Sequence, residues 1–361
     1  MYRALAPAVP AQPRLRCGSN MAKLSAMTKV HAYAALGPGQ PLVPWTYEVD
    51  ALQPHEVLIR VRACGICHSD IHMIDNDWRM SRYPLVPGHE VVGEVIEHGA
   101  AVSDLKPGTR VGVGWQRSSC GRCDDCMRGQ DHLCNEITGV ITHGYGGFAS
   151  HLIVDSRYCF ALPAELPTEA AGPLMCGGIT VYSALRTAGM GSGLRIGVIG
   201  VGGLGHLAIQ FASRLGNHVT AFTTTEAKAQ EASQLGAHEA ILVQDGKPTQ
   251  RPAYPLHIVL NTVPAPLPVE VYLDLLRSDG VLYYVGVTTV PLTVPLWPLL
   301  VKRRRIMASP IGSRATIREM LELAAQFGIR PRVETFPLAE AQQAIAKVRQ
   351  NAVRYRAVLL V

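Results

Sequence analysis

The stretch Arg195-Ile-Gly-Val-Ile-Gly200-Val-Gly-Gly-Leu-Gly205-His-Leu-Ala-Ile-Gln210 decides how this chain folds. A short apolar run, Arg195 to Ile199, meets a glycine turn, and a helical apolar period follows from Gly205 to Leu215. Glycines between a strand and a helix let a pyrophosphate approach the backbone. The helix N-terminus then offers free N–H groups and a positive dipole end. Gly200, Gly202, Gly203, Leu204 and Gly205 are therefore expected to cradle the phosphates of a dinucleotide. A plain strand-to-helix turn is the alternative, and the strand–turn–helix context argues against it.

The same rhythm continues outward. Val219 to Phe222, Ala240 to Val243, His257 to Leu260 and Gly280 to Val285 read as strands, with a helix from Glu226 to Leu235. Strands alternating with helices predict an α/β protein with a doubly wound parallel sheet. Before it, from about Val30 to Ala171, short strands with glycine and proline turns predict an irregular β-rich domain. Helices over Thr316–Gln326 and about Leu338–Val348, then a strand Tyr355–Val361, are expected at the end. Two domains suit 361 residues, at about 100–200 residues each.

The second strand of the wound sheet ends in Thr223, Thr224 and Thr225, with Glu226 and Lys228 close behind. A site for NAD wants an acid near Thr223 to hold the ribose 2′-hydroxyl. Hydroxyls with a nearby cation suit a 2′-phosphate instead, so NADP(H) is expected over NAD, with Glu226 opposing it.

Composition bounds the rest. Hydrophobic residues are 48% and charged residues 17%, which excludes a disordered or collagen-like chain. The net charge of +6 does not by itself suggest a polyanionic partner. No apolar run is long enough for a membrane helix; the most apolar one, Leu194 to Ala212, is broken by Arg195, His206 and Gln210. Residues 1–27 carry Arg3, Arg14, Arg16 and Lys23 without an acid. Pro7, Pro10 and Pro13 spoil an amphipathic transit helix. A disordered extension, or a start at Met21 or Met27, is expected, and a cytoplasmic location.

Nine cysteines are the unusual count. Cys120, Cys123, Cys126 and Cys134 are spaced to close a tetrahedral sulfur shell of structural type. Thiolates also bind iron, but ferredoxin-like runs use a different fourth spacing, so zinc is the expectation. A second set is scattered. Cys67, His89 and Cys176 would give two thiolates and an imidazole with one open position, the pattern of catalytic zinc. Spacing alone leaves this open, because Cys176 also reads as a small core residue and His89 as a turn histidine. Asp70 and Glu90 are candidates to orient those ligands.

Together the pieces resemble the zinc-dependent medium-chain alcohol dehydrogenases, the cinnamyl alcohol dehydrogenase branch in particular. The segments that carry the resemblance are Cys64-Gly-Ile-Cys-His-Ser-Asp70, Tyr83-Pro-Leu-Val-Pro-Gly-His-Glu-Val-Val-Gly93 and the four-cysteine loop. Cys176-Gly-Gly-Ile-Thr-Val-Tyr182, the glycine turn, Ile311-Gly-Ser-Arg314 and Val353-Arg-Tyr-Arg356 complete them. The resemblance implies two zinc ions per chain. It puts Cys67, His89 and Cys176 on the catalytic one, with Glu90 behind it. Ser69 becomes the hydroxyl that passes the proton and His72 the end of the relay, while Thr180 and Arg356 fall on the cofactor side. It implies a GroES-like catalytic domain, 28–176 and 314–361, with a Rossmann domain, 177–313, inserted in it, and a homodimer. The implied reaction is hydride transfer between a primary alcohol or aldehyde and NADP(H). Trp78, Trp115, Ile311 and Leu296 are candidate pocket walls, and Trp115 and Pro310 depart from the branch's pattern there.

Rival readings are a polyol or secondary-alcohol dehydrogenase using NAD, a cofactor-binding protein without catalysis, and a nucleic-acid-binding zinc protein. The last rests on Lys302-Arg-Arg-Arg305, a short run without interleaved aromatics. An open zinc with a proton relay has no use in a non-catalytic protein. The expected partner is a small alcohol or aldehyde, neither a nucleic acid nor a membrane.

Overall fold

A computed structural model describes residues 28–143, 145–287 and 290–361. Residues 1–27, with the expectation of disorder placed on them, lie outside the described residues.

Among the described residues there are two small two-stranded sheets and two seven-stranded ones. One is parallel, in the order Glu239–Gln244, His218–Thr223, Arg195–Ile199, Leu256–Asn261, Leu276–Tyr284 and Arg305–Ala308, with the short antiparallel Lys247–Pro248 outside the first. Its central strands are apolar throughout because helices cover both faces. The chain order reverses at Arg195–Ile199. A crevice therefore opens beyond the carboxyl end of that strand, where doubly wound sheets bind ligands. The helix Gly205–Arg214 starts in that crevice. A Cβ on Gly205 would lie 1.8 Å from the carbonyl oxygen of Gly200, so only glycine lets the helix pack this tightly on the turn.

The other sheet is built from both ends of the sequence. Its long strand Glu56–Ile66 pairs antiparallel with Glu90–His98, His151–Asp155 and Arg356–Leu360. Arg110–Val113 and Cys159–Ala161 extend one side, and Val333–Pro337 adds parallel to Arg356–Leu360 on the other. A hairpin, Thr28–Ala35 with Leu42–Val49, stands apart as a separate two-stranded sheet. The apolar core continues from one seven-stranded sheet to the other, with Ala63, Val92, Met175, Leu207 and Val358 in a single cluster.

The expected elements are present, with adjusted ends. The strand expected at Gly280 begins at Leu276, and the helix expected over Leu338–Val348 opens as a 3-10 turn, Leu338–Glu340, before Ala341–Arg349. Two elements near the site carry no sequence signal. His68–Asp75 is a helix although its histidines, serine and aspartates favour it little. Asp70 Oδ2 accepts from the Cys67 N–H at 2.9 Å and closes its first turn. Leu174–Gly178 is a π-helical turn between two α-helices. Such bulges recur at functional sites because they re-aim a side chain.

Candidate active site

Three loops converge between the sheets. Cys67 caps the helix His68–Asp75, His89 directly precedes the strand Glu90–His98, and Cys176 lies on the π-turn. Cys67 Sγ and Cys176 Sγ are 3.9 Å apart, and His89 Nε2 is 3.2 Å from Cys176 Sγ. All three ligand atoms and a Glu90 oxygen lie within 4.8 Å of one another. Tetrahedral zinc, with bonds of about 2.3 Å to sulfur and 2.0–2.1 Å to nitrogen, spaces its ligand atoms about 3.6–3.8 Å apart. The donor set fits that ion in kind, and the distances of 3.2 and 3.9 Å lie on either side of that spacing.

The surroundings are built to aim these ligands. Asp70, fully buried, takes His89 Nδ1 at 2.9 Å and the Gly88 N–H at 2.9 Å on one oxygen. That carboxylate makes Nδ1 the protonated nitrogen and leaves the Nε2 lone pair facing the thiols. Gly88 has φ +101°, and a Cβ there would meet Phe148 at 2.5 Å and Cys64 Sγ at 2.8 Å. His89 is presented at this angle only because residue 88 is glycine. Hydrogen bonding from Cys176 holds the Cys67 thiol well below its ordinary range, with His89 adding to the effect. Cys176 is pushed up by the same bond and by burial.

Glu90 is buried and pairs with Arg356 through one oxygen. Its other oxygen, Oε2, is buried with no hydrogen-bond partner. Burial pushes its pKa up to about 7, against the pull of Arg356. An orphaned carboxylate oxygen beside two thiols and an imidazole is a costly arrangement, and it suits a cation at the centre of the group.

Ser69 Oγ stands 3.7 Å from Cys67 Sγ. His72, on the same helix, reaches the surface and places Nδ1 2.7 Å from Asp77 Oδ2. Among the described residues no hydrogen bond joins Ser69 to His72. Asp77 is a functional candidate that the sequence did not reveal, because it lies beyond the left-handed cap at Asn76, where helical spacing no longer applies. Two indoles close one side. Trp115 meets the His89 ring at 5.1 Å, Trp78 meets Trp115 edge-on at 6.1 Å, and Trp78 tilts over His72 at 5.1 Å. Ile311 packs on the core, whereas Leu296 is 66% exposed and walls nothing within this chain.

Of the residues expected on the cofactor side, Gly202, Gly203, Lys228 and Arg356 line one cleft of about 150 Å³ together with His68 and Arg354, whereas Thr180, Gly200, Leu204, Gly205, Thr223, Thr224 and Thr225 are not on its wall. Gly200 takes φ +89°, and a Cβ on Gly202 would meet nothing, which leaves room for a ligand against the backbone. Arg356 Nη1 would stand 3.1 Å from a Cβ on Gly203, and its Nε is buried without a partner. Thr223 is buried at the strand end, Thr224 is exposed, and Thr225 spends its hydroxyl on the N–H of Lys228 at 3.3 Å. Thr180 is buried on the helix that follows the π-turn.

The four-cysteine lobe lies apart. Cys120 Sγ is 3.9 Å from Cys126 Sγ and 3.5 Å from Cys134 Sγ, and all four sulfurs fall within 4.8 Å of one another. Backbone N–H groups of Arg122 and Cys123 lower the Cys120 thiol to about 6, while burial raises Cys134 to about 12. The spacing again suits tetrahedral zinc. The described cysteines are all free of disulfides, Cys64 and Cys159 being buried and far from both sets in role; Cys17 lies outside the described residues. The basic run at 302–305 is spent locally. Arg303 pairs with Asp279, Arg304 with Asp274, and Arg305 donates to the Asp279 carbonyl. No helix among the described residues is long and apolar enough to cross a membrane.

The chain is similar to known proteins over most of its length. Residues 53–164 match the alcohol dehydrogenase GroES-like domain and residues 203–326 the zinc-binding dehydrogenase domain. The chain is 40% identical to the aldehyde reductase AdhA of Synechocystis sp., over 91% of this chain and 98% of that protein. A cinnamyl alcohol dehydrogenase of Sorghum bicolor superposes with a TM-score of 0.84 at 34% identity, over 92% of this chain and 97% of that one. The CAD of Helicobacter pylori, solved as a complex with NADP(H), gives a TM-score of 0.84 at 28% identity, over 92% and 98%.

Proposed function

Since the chain belongs to the medium-chain alcohol dehydrogenase and aldehyde reductase family, we propose that it is a zinc-dependent, NADP(H)-preferring enzyme interconverting primary alcohols and aldehydes. The observation that carries this reading is the convergence of Cys67, Cys176 and His89 beside the orphaned oxygen of Glu90. A zinc ion held there supplies Lewis-acid polarisation of the substrate oxygen, and the nicotinamide supplies the hydride.

This chain's residues do the rest. Asp70 fixes the His89 ring, and Arg356 steadies Glu90. The Ser69 hydroxyl gives its proton to the oxygen of the reduced aldehyde. His72, with Asp77 beside it, stands at the solvent end of this relay, and the ribose of a bound cofactor would join it to Ser69. The turn Gly200–Gly205 and the helix behind it receive the pyrophosphate. Trp78 and Trp115 exclude water and present ring faces. Such a wall suits an apolar aldehyde better than a polyol, whose hydroxyls need hydrogen-bond partners. The outer segments 28–176 and 314–361 are taken as the catalytic domain and 177–313 as the cofactor domain. Zinc bound by free thiolates suits a reducing compartment, the cytoplasm.

Oxidation of NADPH, followed by absorbance against a panel of aromatic and aliphatic aldehydes, tests the activity; absence of turnover with zinc-loaded protein overturns it. Lys228→Ala is expected to lower the NADPH-to-NADH ratio of kcat/KM by about tenfold or more, the value of one charge-assisted hydrogen bond. An unchanged ratio removes the 2′-phosphate assignment. For assembly, Leu296, Trp297 and Leu300 are 66%, 72% and 60% exposed beside the edge strand Arg305–Ala308. An apolar patch of that kind is covered in a homodimer. Light scattering should give twice the chain mass, and Trp297→Asp should give monomer; a monomeric parent protein contradicts the dimer.

A further inference from the structure

At the mouth of the cleft one carboxylate ties the two sheets together. Glu231 sits on the helix Glu226–Gln234, one turn after Lys228 and beside the parallel sheet. Arg354 and Tyr355 lead into Arg356–Leu360 of the other sheet. Arg354 Nη2 and Nε stand 2.5 and 3.1 Å from Glu231 Oε1. The Tyr355 hydroxyl donates to Oε2, and Arg332 Nη1 is 3.8 Å from it. Arg332 Nη2 also donates to Gln234 Oε1 at 3.1 Å, and the Arg354 N–H donates to Glu334 at 2.7 Å. The Tyr355 ring stacks on His206 at 4.9 Å, on the helix that opens at Gly205. Arg354, Tyr355 and Lys228 all line the cleft. The Arg354 guanidinium holds the Glu231 carboxyl below its ordinary range, so the cluster is charged at neutral pH.

None of the chemistry assigned above uses this carboxylate. We propose that Glu231 is a positioning residue: through Arg354 and Tyr355 it latches the helix carrying Lys228 to the strand carrying Arg356. The latch holds the cleft closed on a bound dinucleotide and slows its departure. It rests on the reading of this cleft as the cofactor site.

The sign of one measurement separates the latch from simple electrostatics. Glu231 is an anion on the turn next to Lys228. If it acted only through its field, Glu231→Gln would tighten both anionic cofactors, NADPH more than NADH. A latch does not sense the 2′-phosphate, so its loss weakens both cofactors alike. For the zinc-loaded enzyme, Glu231→Gln is expected to raise the Kd of NADPH and of NADH, by fluorescence titration, about five- to tenfold each, with their ratio unchanged. Arg354→Gln should do the same, and the double variant should be no worse than either single one, because both break one interaction. The isotope effect on kcat with deuterium-labelled NADPH should grow, since faster cofactor release exposes the hydride step. Tyr355→Phe, which removes a single hydrogen bond, should weaken both cofactors in the same sense and serves if Glu231→Gln does not fold. Kd values within twofold of the parent in these variants, or an effect on NADPH alone, overturn the latch. An unchanged cofactor ratio in Lys228→Ala, with both affinities still weakened in Glu231→Gln, leaves the latch standing and overturns only the 2′-phosphate assignment.

Discussion

Cys67→Ser and Cys176→Ala are each expected to abolish turnover, by about a thousandfold or more, with little change in melting behaviour. Lewis-acid polarisation contributes several kcal/mol to such a reaction, and each 1.4 kcal/mol is about a factor of ten in rate. Serine at 67 keeps the helix cap, since serine is a favoured N-cap. It does not supply a thiolate, the donor that a soft cation takes. Alanine at 176 removes a sulfur whose neighbours are Cys67 and His89 and leaves the buried turn apolar. Elemental analysis should find one zinc per chain in either variant where the parent has two. Alcohol oxidation at the parent rate by either variant would falsify the metal assignment outright.

The four-cysteine lobe should behave in the opposite way. Cys123→Ser is expected to remove the other zinc and destabilise the protein by about 3–5 kcal/mol, less than the total for a peptide that folds only on its metal. The difference follows from how the lobe is anchored. Cys126 lies 3.4 Å from Ser119 Oγ, which in turn meets the Tyr158 hydroxyl at 2.6 Å. Asp131 of the lobe lies 3.4 Å from Arg314 Nε, and Arg314 covers the Tyr158 ring at 5.2 Å. These contacts persist without metal, so the body of the enzyme keeps its fold while the lobe loosens. A fall in Tm of about 4–7 °C is expected for a chain of 361 residues, with turnover at low temperature largely kept. Normal zinc content and an unshifted Tm in this variant would contradict a structural ion here.

What the sequence disclosed and what it hid divide along chain distance. The cofactor turn was legible because strand, glycines and helix are contiguous and each residue type has a local reason. The lobe was legible for the same reason, four thiols within one loop. The catalytic set was not: Cys67 and Cys176 are 109 residues apart, and spacing left Cys176 indistinguishable from a core residue until the resemblance named it. Even then the π-turn that aims its sulfur had no signature. His72 was singled out without Asp77. Arg354 stands in a segment that carries the resemblance, but its partner Glu231, 123 residues away, has no signal of its own, because a pairing between elements depends on topology that neither local pattern records.

The pairing of Glu56–Ile66 with Arg356–Leu360 also sets an order of events during synthesis. The strand that carries Arg356 emerges from the ribosome 266 residues after Glu90, its charge partner. Throughout that interval the early sheet has a bare edge at Ala63–Ile66, open to wrong strands, and Glu90 lacks its counter-ion. Everything between, including the whole parallel sheet, is made first and can settle on its own. Nascent chains stalled before residue 356 should therefore bind NADP(H) poorly, present a sticky strand and call on chaperones. The sheet that holds Cys67 and His89 therefore gains its pairing at Ala63–Ile66 only once residues 356–360 are made.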